Sequence, residues 1–403
     1  MDDPKHTSSL NAPALDHGVV GNGRVLALIS PTTAVEWLCL PRFDAPSVFG
    51  RLLDAGRGGT FRFLSDGREL RGKQDYLLNT NVLRTVVEDG DSAFEVVDYA
   101  PRIPDGGFGV KAPTSLRRRV RPLRGRPRLV VDFDPRPDYA RAEPVLFETG
   151  DGVTVTGGPA PISLTTDAPL PFVLARRPLV LDRTLRFDVS YGPADRPLDP
   201  VAFDRDLELT TEGWRAWAKT CALPSFEPAA VLRSALCLKL HACHDTGAII
   251  AAATTSIPEA MGTARTWDYR FCWLRDAAFV VEALRRLSHL SEGERFLGYL
   301  RDVAESGPLQ PVYAVDGARD LEERFLPHLA GFGGNGHVRI GNAAAVQRQN
   351  DLYGELILCL ASLLGDPRLA HLDRAGYLPL VERLVEEAIV AAPTDDKIGR
   401  AHV

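Results

Sequence analysis

The chain has 403 residues, enough for two domains or one large one, and its 45% hydrophobic and 25% charged residues are ordinary for a globular protein in water. A formal charge of -6 excludes the basic balance of a domain that faces nucleic-acid phosphates. No uninterrupted apolar stretch approaches the ~20 residues that a membrane span needs, so neither nucleic acid nor membrane is expected as a partner.

The first residues, MDDPKHTSSLNAPALDHG, contain no apolar segment of the kind a secretory signal carries, and the expected location is the cytoplasm. Six cysteines (Cys39, Cys221, Cys237, Cys243, Cys272 and Cys359) are then expected as thiols rather than disulfides. Up to about residue 215, β-branched runs alternate with turn residues: GRVLALIS, AVEWLCLP, GTFRFLS, NVLRTVVEDG, AFEVVDYAP, RLVVDFDP, GVTVTG, PFVLARRPLVL and LRFDVSYG. Asp89-Gly90 and Asp151-Gly152 mark tight hairpins. With no helical pattern between the runs, an antiparallel sandwich is predicted, a large barrel being the alternative. The run from Leu116 to Leu129 holds seven arginines. Arg117, Arg119 and Arg121 alternate as on the wet face of a strand, and a solvated face is expected there rather than a phosphate-binding stripe.

After residue 226 the hydrophobic period changes from 2 to 3.6. Helices are predicted at about 227–244, 275–289, 291–305, 341–364 and 377–392. The expected organisation is a β domain over 1–225 and an all-α domain over 226–396, joined between Trp214 and Pro228. In the first helix Cys237, His241 and His244 fall at i, i+4 and i+7. Zinc would want a fourth ligand and tighter pairing, and the surrounding SALCLKL reads as a buried face, so core packing is expected and no metal. Gly331 to Gly336 fits GxGxxG, but no strand leads in and no helix follows. It reads as a mobile loop.

The segment from Thr266 to Asp276, TWDYRFCWLRD, packs four aromatics, two acids and two arginines ahead of a helix. A sugar presents apolar C–H faces and a rim of hydroxyls, which flat aromatics beside paired polar groups can hold. Trp273 can supply the platform, and Arg275 with Asp276 a donor fork and an acceptor. The same residues can instead close a buried ion-pair knot at a helix amino terminus, where the dipole favours Asp276.

Ala251–Glu259 (AAATTSIPE) followed by TWDYRFCWLRDA resembles the start of the catalytic domain of glycoside hydrolase family 15, which contains glucoamylases and bacterial trehalases. Further matches are Asp16–Gly23 (DHGVVGNG), Trp37–Asp44 (WLCLPRFD), Arg339–Ala344 (RIGNAA) and Asp351–Gly354 (DLYG). The resemblance runs over about 15–396, with Thr266 standing where bacterial members usually carry Asn. It implies an amino-terminal β-sandwich followed by an (α/α)6 barrel, and an exo-acting, inverting hydrolase of α-glucosides, either trehalose or maltooligosaccharides, that needs no cofactor. By the same resemblance Tyr269 and Trp273 line the pocket for the terminal glucosyl unit, and Arg275 and Asp276 hold its 4- and 6-hydroxyls.

Inverting glycosidases use two carboxyls roughly 6.5–9.5 Å apart. The resemblance implies two glutamates on later barrel loops, the acid in a Trp-Glu pair soon after the helix at 377–392. The chain reads Ala392–Asp396 and then KIGRAHV with no Trp-Glu. Both catalytic groups are therefore expected beyond Asp396, and residues 397–403 are expected to be foreign, since Ile398 to Val403 can be encoded by the start of a common sequencing adapter. A chain stopped there would leave apolar faces open on its last two helices. Glu322 and Glu323 read as one solvated and one hydrogen-bonded structural residue, and Asp351 with Glu355, near Arg348, as a surface or interhelical ion pair. The alternatives are a disaccharide phosphorylase of similar plan and an inactive carbohydrate-binding fragment.

Overall fold

The computed structural model describes residues 14–106, 109–150 and 152–396. The residues before Ala14 that were read for an export signal, Asp151 of the second predicted hairpin, and the tail Lys397–Val403 lie outside the described residues.

The amino-terminal part is an antiparallel β-sandwich. One sheet runs in the order Gly18–Gly21, Leu26–Ile29, Val35–Cys39, Thr60–Ser65, Arg128–Asp134, Leu179–Val180, with Ser47–Phe49 paired to Val35–Cys39. The other runs Val145–Thr149, Gly152–Thr156, Ile162–Thr166, Leu185–Tyr191, Ser115–Arg124, Ser92–Tyr99, Leu83–Asp89, Lys73–Tyr76. Period-2 alternation sends one set of side chains from each sheet inward. Val35, Phe61 and Val131 from the first meet Val96, Leu116 and Phe187 from the second in one apolar cluster. Phe61 and Phe187 touch across it, their ring centroids 5.8 Å apart. The Asp89-Gly90 hairpin is present, with Asp89 opposite Ser92 and Gly90 at φ 56°.

The arginine run divides by the same alternation. Arg117 bonds Asp188 and Asp206 on the outer face, and Arg121 pairs with Glu95. Arg118 points the other way, into the sandwich. It is wholly buried against Asp98 (2.7 Å), the carbonyls of Phe61 and Thr33, and the rings of Phe61 and Phe63.

Two corrections concern helices. In PFVLARRPLVL, Leu170–Leu174 is a single helical turn, and only Leu179–Val180 is strand. Residues Pro200–Lys219, placed within the β domain and the start of its junction with no element assigned, form a helix capped by Asp199, whose carboxylate accepts from the backbone N–H groups of Val201 and Ala202. Its buried face carries Phe203, Leu207, Trp214 and Ala218. Trp214 is therefore core, not junction, and the loop to the next helix lies at Thr220–Glu227.

The helices Pro228–His241, Leu274–Arg286, Ser291–Glu305, Asp351–Leu364 and Arg374–Ala391 follow, packed in the manner of a helical barrel. The predicted helix at 341–364 is broken. A 3-10 turn at Ala343–Val346 is followed by extended backbone, and the α-helix begins only at Asp351. The helical part also contains three two-stranded pieces, Thr255–Pro258 with Thr266–Asp268, Cys272–Trp273 with Val312–Tyr313, and Arg324–Phe325 with Arg339–Ile340. A single apolar cluster runs from Val97 and Tyr99 of the sandwich through Trp214 to Leu360 and Leu384. Leu358, Leu378, Ile389 and Val390 remain exposed on the last two helices.

Candidate functional site

The segment 266–276 is held at three levels. Thr266–Asp268 pairs with Thr255–Pro258, and Thr266 Oγ1 donates to the His337 carbonyl (2.6 Å). Next, Asp268 and Arg270 form the buried knot. Arg270 Nε and Nη2 reach the two carboxylate oxygens at 2.9 and 2.6 Å, and both residues are 1% exposed or less. The remaining donors of Arg270 go to the Ala45 carbonyl (2.7 Å) and Tyr139 Oη (2.8 Å), both in the sandwich. Asp268 and Arg270 thus form a buried ion pair that fastens the two parts of the chain together.

Arg275 and Asp276 are different. The helix begins at Leu274, whose N–H bonds the Pro311 carbonyl (3.1 Å), and this leaves both side chains on its first turn. Arg275 forks between Asp351 Oδ2 (2.8 Å), Gln349 Oε1 (3.2 Å) and Asp276 Oδ2 (3.3 Å). The Arg275 and Asp276 side chains are 28% and 43% exposed and that of Asp351 22%, so the fork is half-open to solvent. Burial pushes the Asp276 carboxyl above the ordinary carboxylate range, Arg275 pulls it back, and the nearby Asp351 charge adds to the rise.

Tyr269 and Trp273 also come together, with ring centroids 5.5 Å apart at 53°. Trp273 is 2% exposed, because its strand lies against Val312–Tyr313 and its ring joins the cluster of Phe271, Val312 and Ala345. The expected platform is thus covered, and Tyr269 is the more accessible ring of the pair. Tyr269 Oη donates to Glu259 (3.0 Å), which also pairs with Arg265 (2.5 Å).

Three residues outside the four predicted ones touch them: Glu259 meets Tyr269, and Gln349 and Asp351 meet Arg275. Asp351, read as a member of a surface or interhelical ion pair near Arg348, forms an interhelical one, its partner being Arg275. Its signal lay in the Asp351–Gly354 stretch itself, which had been singled out. Glu322 is exposed and paired with Arg324, whereas Glu323 is largely covered and bonds Arg339 (2.6 Å). The helix ends at His241, so His244 does not share a face with Cys237, and His241 Nδ1 instead meets the Cys237 carbonyl (2.9 Å). Among the described residues no group of three or more His, Cys, Asp or Glu is placed to hold a metal ion. In the Gly331–Gly336 loop Asn335 accepts from the Gly262 N–H and donates to the Thr263 carbonyl. No helix among the described residues is long and apolar enough to cross a membrane.

Residues 227–386 match the family described as glycosyl hydrolases family 15, and residues 9–169 match the trehalase-like N-terminal family. Residues 227–386 belong to glycosyl hydrolase family 15. All four predicted site residues, together with Glu259, Gln349 and Asp351, fall inside this family 15 region. The chain is 33% identical over 356 residues to a trehalase of Thermoplasma volcanium, covering 86% of this chain and 56% of that protein. It is 31% identical over 407 residues to a trehalase of Mycolicibacterium smegmatis, covering 94% and 60%. With Trehalase 1 of Sulfolobus acidocaldarius it shares 33% over 350 residues, covering 84% and 58%. The chain thus spans somewhat over half the length of these relatives.

Proposed function

We propose that this chain is the saccharide-recognising portion of an inverting α-glucosidic hydrolase whose substrate is trehalose. The observation that carries the reading is the half-open fork of Arg275, Asp276 and Asp351 inside the family 15 region. A guanidinium held between two carboxylates offers a donor and an acceptor side by side, the pairing that two neighbouring sugar hydroxyls require. Three relatives bearing the name trehalase favour trehalose over maltooligosaccharides. In this proposal residues 1–225 are the trehalase-like module and 226–396 contribute to the catalytic domain. The general acid and base come from sequence following Asp396, as the greater length of the relatives suggests. Cytoplasmic placement belongs to the same proposal, supported by six cysteines that are all free thiols.

The test is to titrate the purified 403-residue chain with trehalose and with maltose, and to assay glucose release in parallel. Trehalose binding without turnover is expected. Removal of a general acid alone costs ~10²–10⁴ in rate. Robust turnover that an internal carboxylate substitution abolishes would overturn the placement of the catalytic pair.

A further inference from the structure

Away from the family 15 region, the outer face of the eight-stranded sheet carries an ordered array of polar groups. Register aligns Ser115, Ser190 and Ser163 on three adjacent strands, one opposite the next. Two residues along the same strands, Arg117, Asp188 and Thr165 form a second row. Because side chains alternate with a period of 2, these six stand on one face, opposite to Leu116, Val189 and Leu164 in the core. An outer sheet face ordinarily meets bulk water. Here the loop 192–199 and the start of the helix at Pro200 cover it, and a cavity of about 490 Å³ remains beneath them. That volume lies in the ~300–1,000 Å³ range of small-molecule sites.

Three features define the chemistry. Ser115 is a lining residue, is 2% exposed, and its Oγ has no hydrogen-bond partner among the described residues. A buried hydroxyl without a partner is costly, and a ligand hydroxyl would supply the missing bond. The charges are already matched. Arg117 donates to Asp188 (2.8 Å) and Asp206 (2.6 Å), while Asp188 accepts from Ser190 (2.7 Å). Arg196, the other cation of the lining, pairs with Asp195 (3.6 Å), and three carboxylates against two arginines leave no net positive charge to demand an anion. Tyr191 also lines the cavity and is 42% exposed, offering an aromatic surface.

We infer that this cavity is a second binding site, taking a neutral polyhydroxy compound of monosaccharide to disaccharide size. The inference does not depend on the function proposed for the helical part. The experiment uses the 403-residue chain with Arg275→Ala, which disables the first site, and titrates it with D-glucose, trehalose and inorganic phosphate by calorimetry or ligand-observed NMR. Saturable binding of at least one sugar, and not of phosphate, is expected. Ser115→Ala with Thr165→Val should weaken it roughly three- to tenfold, the effect of losing neutral hydrogen bonds. Tyr191→Ala, at an exposed position, should also weaken it and serves if the buried pair impairs folding. Complete loss of sugar binding with Arg275→Ala alone, binding insensitive to the sandwich substitutions, or phosphate as the sole ligand would each overturn the inference. Unchanged trehalose affinity on Arg275→Ala would instead count against the helical site and leave this one standing.

Discussion

Arg270 and Arg275 stand five residues apart and do opposite work. Arg270 places its donors on Asp268, Ala45 and Tyr139, has no access to water, and so has nothing left for a ligand. Arg275 meets its partners at a half-open helix terminus, which is why the sugar site is proposed there. The expected outcome for Asp276→Asn or Arg275→Ala, tested in the intact enzyme, is a loss in kcat/KM of roughly ten- to a hundredfold per charged hydrogen bond, each worth about 1.5–3 kcal/mol. The thermal melt of Asp276→Asn should stay near that of the parent, because its pair with Arg275 is 28% and 43% exposed and such pairs contribute little to stability. Normal kinetics in both would return them to a structural role. Asp351→Asn is expected to weaken trehalose binding too, by releasing Arg275 from its 2.8 Å anchor.

Between elements, two buried ion pairs hold the helical part in place. Removing Arg270 would leave Asp268 charged and buried without its partner, so Arg270→Ala is expected to cost about 3–5 kcal/mol in chemical denaturation. A loss near zero would show that the knot is dispensable. The second pair joins the helices Pro228–His241 and Ser291–Glu305 through Lys239 Nζ and Glu292 Oε1 at 2.7 Å. Burial pushes the Glu292 carboxyl up, but Lys239 overcomes this and holds it at about 2 against an ordinary 4.5. Between those values the folded chain binds fewer protons than the unfolded one. The contribution is therefore complete above pH 4.5 and is lost as the pH falls towards 2. In melts across that window Glu292→Gln is expected to start less stable and to lose less on acidification. Parallel curves for parent and variant would contradict this.

At the scale of the molecule, the sandwich and the helices share a core. The helix Pro200–Lys219 buries Phe203, Leu207 and Trp214 in the cluster that also holds Leu297 and Leu360. A cut at residue 225 would therefore strip one face of that helix of its partners. The expected open apolar surface lies instead on the last two helices, where Leu358, Leu378, Ile389 and Val390 face water. The chain is expected to bind a hydrophobic dye there, since large apolar side chains exposed together on neighbouring helices offer it a surface. Ile389→Glu with Val390→Lys should lower dye binding without lowering the melting temperature, and unchanged fluorescence would place the dye elsewhere.

What the sequence determined by itself was local. Alternation and turn chemistry specified the sandwich strands, because a half-buried sheet face imposes its period on the residues that form it. The change of period near residue 226 and the aromatic-rich segment 266–276 pointed to the helical part and to Arg275 and Asp276. Tertiary structure decided what depends on distant partners. Trp273 is covered because Val312–Tyr313 lies beside it, Arg118 is internal because Asp98 and two carbonyls await it, and the helix at 200–219 was legible only through its cap, Asp199-Pro200. Asp351 joins Arg275 across 76 residues of sequence, and no spacing rule reaches that far. The role of a charged side chain is settled by the opposite charge or the solvent that folding brings to it, which local pattern does not encode.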